Sequence, residues 1–254
     1  MSLFAFASAK GSPGVTTTVV TVAATWPAGR RVLIAELDVA GGDLAARLDL
    51  EPDPGLVTFA ASSHDRPVVS AHAQQLGDDV YVLVAPVRGQ QVRSCVRALG
   101  KVAEWLAVAE GDVLVDCGRA EPGTPVFELA DTAACVVLVC GSRPEDVGHA
   151  LGTVADLRDA GANLGLIVVG DRDRRPARGD EVAEVVGLPL LGELPHDRRA
   201  AALVNEGWRR TRALQRSRLL RSAAAVAVRL NALTDVEPLM ASHTELAMAE
   251  EHLR

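Results

Sequence analysis

The sequence predicts a three-layer α/β/α domain around a mostly parallel sheet. Three observations carry that prediction. Seven short apolar runs recur along the chain, helix-like stretches separate them, and a glycine-containing turn follows the first run. Strands buried on both faces read as continuous apolar runs, and a parallel partner needs a crossover of helical length to reach it.

The strands are predicted at 3–8 (LFAFAS), 31–37 (RVLIAEL), 80–85 (VYVLVA), 112–117 (DVLVDC), 134–140 (ACVVLVC), 164–170 (LGLIVVG) and 189–194 (PLLGEL). Helices are expected at about 16–26, 90–108, 124–130, 144–160, 179–187, 198–205 and 208–233, several with apolar residues at helical spacing. No linker or repeat interrupts the alternation, so residues 1–233 read as one domain. Residues 234–254 form an acidic tail opened by Pro238.

Composition sets limits on function. The chain has 254 residues and a formal net charge of −7, which argues against whole-surface nucleic-acid binding and leaves room only for a local basic patch. The N-terminus lacks a basic signal region and its apolar stretch is too short to span a membrane, so a cytoplasmic protein without a transmembrane segment is expected. Cys95, Cys117, Cys135 and Cys140 show no C-x-x-C pair, which suggests neither zinc site nor disulfide framework but reduced, mostly buried thiols. No Ser/His/Asp or Cys/His arrangement stands out around the six histidines.

Of the 26 basic residues only Lys10 and Lys101 are lysine. One of these two stands inside the glycine turn, where a compact ammonium differs from a planar guanidinium.

In an open parallel sheet the residues just after each strand line the ligand crevice. After the first strand comes Lys10-Gly11-Ser12-Pro13-Gly14-Val15-Thr16-Thr17, leading into an apolar helix. Backbone amides in such a turn approach phosphate oxygens, the helix end adds partial positive charge, and Thr16 is placed to face magnesium. Against the pattern G-x-x-x-x-G-K-[ST] the match is poor, with Ala9 at the first glycine and Val15 at the lysine. An ordinary glycine turn with a threonine-capped helix is the competing reading.

The second strand ends among Glu36, Asp38 and Asp43, carboxylates that could position a water or a metal, or form a solvated turn with Asp43 as a helix cap. The fourth strand closes on Asp116, the usual place for a second magnesium anchor. A Pro195-containing loop follows the last strand.

Taken in order, these segments resemble the ParA/MinD family of deviant Walker A P-loop ATPases, which position chromosomes, plasmids, division sites and other cargo. The family loop K-G-G-x-G-K-[ST]-[ST] is matched by residues 10–17, and the similarity spans roughly residues 3–233. The resemblance implies a P-loop NTPase fold, ATP and Mg2+ as cofactors, and a nucleotide-dependent homodimer in which Lys10 reaches the phosphates of the partner subunit's nucleotide.

It further implies nucleotide contacts from residues 10–17 and from Pro195, an attacking water oriented by Asp38, and magnesium held near Thr16, Asp38 and Asp116. The stretch LDVAGGDLAARLDLEPDPGLVTFAAS also resembles the TadZ/CpaE-type subgroup of pilus-assembly localisation proteins.

Departures from the family pattern matter too. Val15 replaces the lysine that bridges β- and γ-phosphates within one subunit, Ser12 replaces a glycine, and VVGDRD stands where many relatives place an adenine-reading asparagine. Losing a cation positioned on developing charge costs on the order of a hundredfold in rate. Weak hydrolysis and a pseudo-ATPase scaffold without turnover are therefore both open.

The helix expected near the C-terminus carries Arg209, Arg210, Arg212, Arg216, Arg218 and Arg221 with no acid between. DNA-backbone contact through segment 208–221, and hence nucleoid association, competes with a solvated helix paired to nearby acids and with an anionic-membrane or protein surface.

Overall fold

In a computed structural model of the chain, residues 1–10, 13–62, 68–170, 178–205 and 216–235 are described, without the side chains of residues 205, 234 and 235. The first strand shows how the layers arise. All six residues of β1 (Leu3–Ser8) are buried, and their alternation splits them between two separate apolar layers. Leu3, Ala5 and Ala7 face one side, Phe4 and Phe6 the other. Burying each phenylalanine contributes roughly 2–3 kcal/mol.

The remaining strands are β2 (Val32–Glu36), β3 (Gln74–Gln75), β4 (Val80–Leu83), β5 (Asp112–Arg119), β6 (Cys135–Gly141), β7 (Leu164–Val169) and β8 (Leu190–Leu194). They form one sheet in the order β3-β4-β2-β5-β1-β6-β7-β8, parallel except for the antiparallel edge pair β3–β4. All seven strands expected from the sequence are present. The two-residue β3 was not foreseen, because two glutamines carry no apolar pattern.

The helices are α1 (Val15–Ala24), α2 (Leu44–Leu48), α3 (Leu56–Ala61), α4 (Gly89–Leu99), α5 (Val102–Leu106), α6 (Pro125–Glu128), α7 (Pro144–Asp159), α8 (Gly179–Val186), α9 (Arg198–Asn205) and α10 (Arg218–Asp235). The single helix expected at 90–108 is two helices, since Gly100 takes a left-handed φ of 67° and ends the first of them. The helix expected at 208–233 is helical from Arg218 onward, and residues 206–215 lie outside the described residues.

Helices α1, α9 and α10 cover the Phe4/Phe6 face, through Val19, Val22, Ala200, Ala223, Val226 and Leu230. Helices α3 to α8 cover the other face. At the end of the sheet opposite the glycine turn, Asp112 is 2% exposed. It accepts hydrogen bonds from Trp26 Nε1, Arg30 and the Ser2 amide at 3.0–3.1 Å, fixing the start of β5 against β1. All four cysteines are free and buried. Among the described residues no helix is long and apolar enough to cross a membrane.

Because β5 runs between β1 and β2 while β6 lies on the far side of β1, chain direction across the sheet reverses at β1. The carboxyl end of β1 is therefore where a crevice opens.

Candidate functional site

The turn after β1 delivers the chain into α1 through Gly14, whose φ of 94° and ψ of 42° lie in the left-handed region that a side chain disfavours. No side chain caps α1, so the threonine-capped reading of this turn does not hold. Thr18 N donates to Gly14 O at 2.8 Å, and amides of the first turn point towards the crevice as helix starts do.

Val15, at the position of the missing lysine, is 7% exposed and packs with Val19 in the Phe4/Phe6 layer. Its side chain belongs to the core, which explains why an apolar residue is tolerated where a cation was expected.

Two cavities meet at this turn, and both include Pro13, Gly14 and Thr17. The larger, about 680 Å³, also takes in Val15, Thr16, Asp38, Asp43, Gly118 and three arginines, Arg47, Arg93 and Arg119. The smaller, about 140 Å³, is lined by Val169, Leu194, Pro195 and Leu219 among others. Together they fall in the size range of small-molecule sites. A polar, open compartment beside a small apolar one suits a phosphate chain joined to a flat ring.

Asp116, on β5 opposite Phe6 of β1, is 1% exposed. Its Oδ1 accepts from the Gly118 amide at 3.1 Å, while Oδ2 is buried with no hydrogen-bond partner. Burial raises its pKa from 3.8 to about 6, against the opposing pull of the Thr16 hydroxyl and the Gly118 amide. An orphaned carboxylate oxygen beside a threonine hydroxyl is a hard-oxygen donor set that fits Mg2+. Among the described residues no cluster of three or more His, Cys, Asp or Glu forms a complete cage.

Asp38 reaches the same cavity from the loop after β2. Between Phe6 and Ser8 of β1, the paired β5 runs from Asp116 to Arg119, so β5 carries one extra residue there. The bulge contains Gly118, whose φ is +63°, and a Cβ on it would stand 2.2–2.4 Å from the Asp38 carboxylate. The absence of a side chain at 118 is what lets Asp38 lie against β5.

Glu36 corrects the sequence reading of the acidic trio. It is 2% exposed and faces the backbone rather than the cavity. Its carboxylate accepts from the amides of Asp43, Leu44 and Ala85 at 2.7–2.9 Å, tying the 38–43 loop to the end of β4. Burial nevertheless raises its pKa from 4.5 to about 7. Asp43 stands at the N-cap position of α2 but makes no capping bond, pairing instead with Arg47 at 2.9 Å.

Other expectations land unevenly. Thr16, Thr17, Pro13, Gly14, Asp38 and Asp116 converge on one region, and Pro195 lines the adjoining apolar cavity. Lys10 is exposed and lines neither cavity, its Nζ lying 3.0 Å from His149 Nε2 on α7. Gly11 and Ser12 lie outside the described residues, as do Arg209, Arg210 and Arg212. Arg216, with Arg218 and Arg221, is exposed at the start of α10. Sequence reasoning missed Arg47, Arg93 and Arg119, since nothing in their local spacing marks them as neighbours.

No family model matches the chain, and no curated sequence is detectably similar to it. Solved structures are. MinD from Pyrococcus horikoshii, complexed with Mg-ADP, superposes with a TM-score of 0.77 at 21% identity, over 92% of this chain and 97% of that one. A ParA family ATPase from Chlorobium tepidum gives a TM-score of 0.73 at 17% identity, over 89% and 97%. The ATP complex of a McdA variant from Cyanothece gives 0.69 at 14% identity, over 94% and 98%. The strand order, the turn after β1 and these superpositions agree that the chain has the fold of the ParA/MinD ATPases.

Proposed function

We propose that the chain is a ParA/MinD-type positioning protein that binds a magnesium–nucleotide complex, pairs with a second copy in the triphosphate form, and hydrolyses ATP slowly. The observation that carries this reading is the orphaned Asp116 Oδ2, on a carboxylate held beside Thr16. When bound, magnesium would supply charge neutralisation at the phosphate oxygens. Thr16 and Asp116 would hold it, and Asp38, resting on Gly118, would orient the attacking water. The α1 amides would bind phosphate, and the apolar cavity at Pro195 would take the base.

Lys10 supports the pairing. It is exposed and clear of its own cavity, the placement required of a lysine that acts across an interface. Light scattering with and without a slowly hydrolysed ATP analogue should show the mass doubling with the analogue, and Lys10→Ala should lower that pairing at least about tenfold. Identical masses in the two conditions, with no nucleotide bound, would sink the reading.

Val15 favours one alternative, a scaffold with the fold and no turnover, because the loop directs no cation into its own cavity. Calorimetry with Mg-ATP separates the two. Micromolar binding followed by phosphate release excludes the scaffold, and silence in both supports it.

A further inference from the structure

With Val15 in the core and Lys10 lining neither cavity, the glycine turn brings no cation to the large cavity, yet that cavity is not without cations. Arg47 enters it from α2, Arg93 from α4 and Arg119 from the end of β5, alongside Gly14, Thr16 and Thr17. The three differ in how fully they are engaged. Arg119 is bound to Glu121 at 3.1 Å, both about half exposed. Arg47 is bound to Asp43 at 2.9 Å, a pair open to water and hence weak, and its charge also reaches the buried Asp116. Arg93 pairs with no carboxylate among the described residues, its Nη1 donating to the Val39 carbonyl at 2.6 Å.

A guanidinium has five N–H donors, so both Arg47 and Arg93 keep several available while already held in position. Each is also fastened to the loop that carries Asp38, Arg47 through Asp43 and Arg93 through Val39. An anion bridging the two would therefore fix that loop as well. The charge of Arg47 is felt at Asp116, the partner of Thr16, and Arg93 lines the same cavity.

We propose that Arg47 and Arg93 supply, from α2 and α4, the phosphate-facing charge that the turn lacks, gripping the terminal phosphate of a bound nucleoside triphosphate. This rests on the nucleotide-binding reading above and adds its substrate discrimination. A triphosphate reaches both arginines and orders the Asp38 loop, whereas a diphosphate stops short of them. Planar guanidinium forks bind phosphate bidentately, so lysine at either position restores only part of the grip.

Calorimetry on the full chain with Mg2+ decides the matter, using a slowly hydrolysed ATP analogue and ADP as probes. Arg93→Gln and Arg47→Gln should each weaken the analogue about tenfold or more, the size expected for a lost charge-assisted hydrogen bond, and ADP less than about threefold. Arg93→Lys should fall between. Circular dichroism confirms folding, and because Arg93 is exposed its variant stays informative if Arg47→Gln does not fold. Analogue binding that is unchanged in Arg93→Gln, or weakened equally for both nucleotides, overturns this inference and leaves the nucleotide-binding reading intact. No binding of either nucleotide by the unsubstituted chain overturns both.

Discussion

Val15 is the residue on which the chemistry turns. Two facts about it pull in different directions: it removes a cation from the loop, and it contributes a buried side chain to the α1 face of the sheet. Val15→Lys should raise phosphate release on the order of tenfold, by placing an ammonium on the developing charge. It should also lower the thermal midpoint, since giving up valine's burial costs about 1–2 kcal/mol. A stopped assay of released phosphate and a melting curve test the two halves separately. Unchanged turnover with an intact fold would mean that the loop cation does not limit the reaction.

Among the elements, β5 does most to build the site. Its first half is an ordinary buried strand, and its last residues bulge against β1 so that Gly118 and Arg119 line the crevice while Asp116 lies buried beside Thr16. Gly118→Ala puts a methyl group where the Asp38 carboxylate lies and forces a left-handed residue to carry a side chain. The expected cost is about 1–2 kcal/mol of stability, with turnover lowered at least about tenfold and nucleotide binding less affected. Normal turnover in a folded Gly118→Ala variant would remove Asp38 from its assigned role. The strands were legible because seven of them are apolar runs, most of them buried along nearly their whole length. Helices α2 and α3, of five and six residues, were not: each is shorter than two helical turns, too little for periodicity to show. The split at Gly100 was missed because apolar spacing continues across it.

For the whole molecule, two carboxyl groups make stability depend on pH. Glu36 and Asp116 are raised to about 7 and about 6, in both cases chiefly by burial, so the folded chain holds protons that the unfolded chain releases at lower pH. Between roughly pH 4.5 and pH 7 stability therefore falls as pH rises, and levels off above that window. The two shifts together amount to on the order of 6 kcal/mol. Thermal midpoints of the nucleotide-free chain should drop from pH 5 to pH 7.5, and Glu36→Gln should remove much of that drop. A midpoint that rises over the same range would contradict the sign.

Sequence alone determined the sheet, the two-sided core and the turn after β1, because each is written in local chemistry: continuous apolar runs, helical spacing, glycine before threonine. It also singled out Asp38 and Asp116, whose places at strand ends are fixed by the order of elements. Only tertiary structure decided that Glu36 binds backbone amides instead of facing the cavity, and that Lys10 lies outside it. The same holds for Arg47, Arg93 and Arg119, which meet around one crevice. Those outcomes depend on which strands become neighbours, and β5 joins the sheet between β1 and β2 more than seventy residues after the chain has left them.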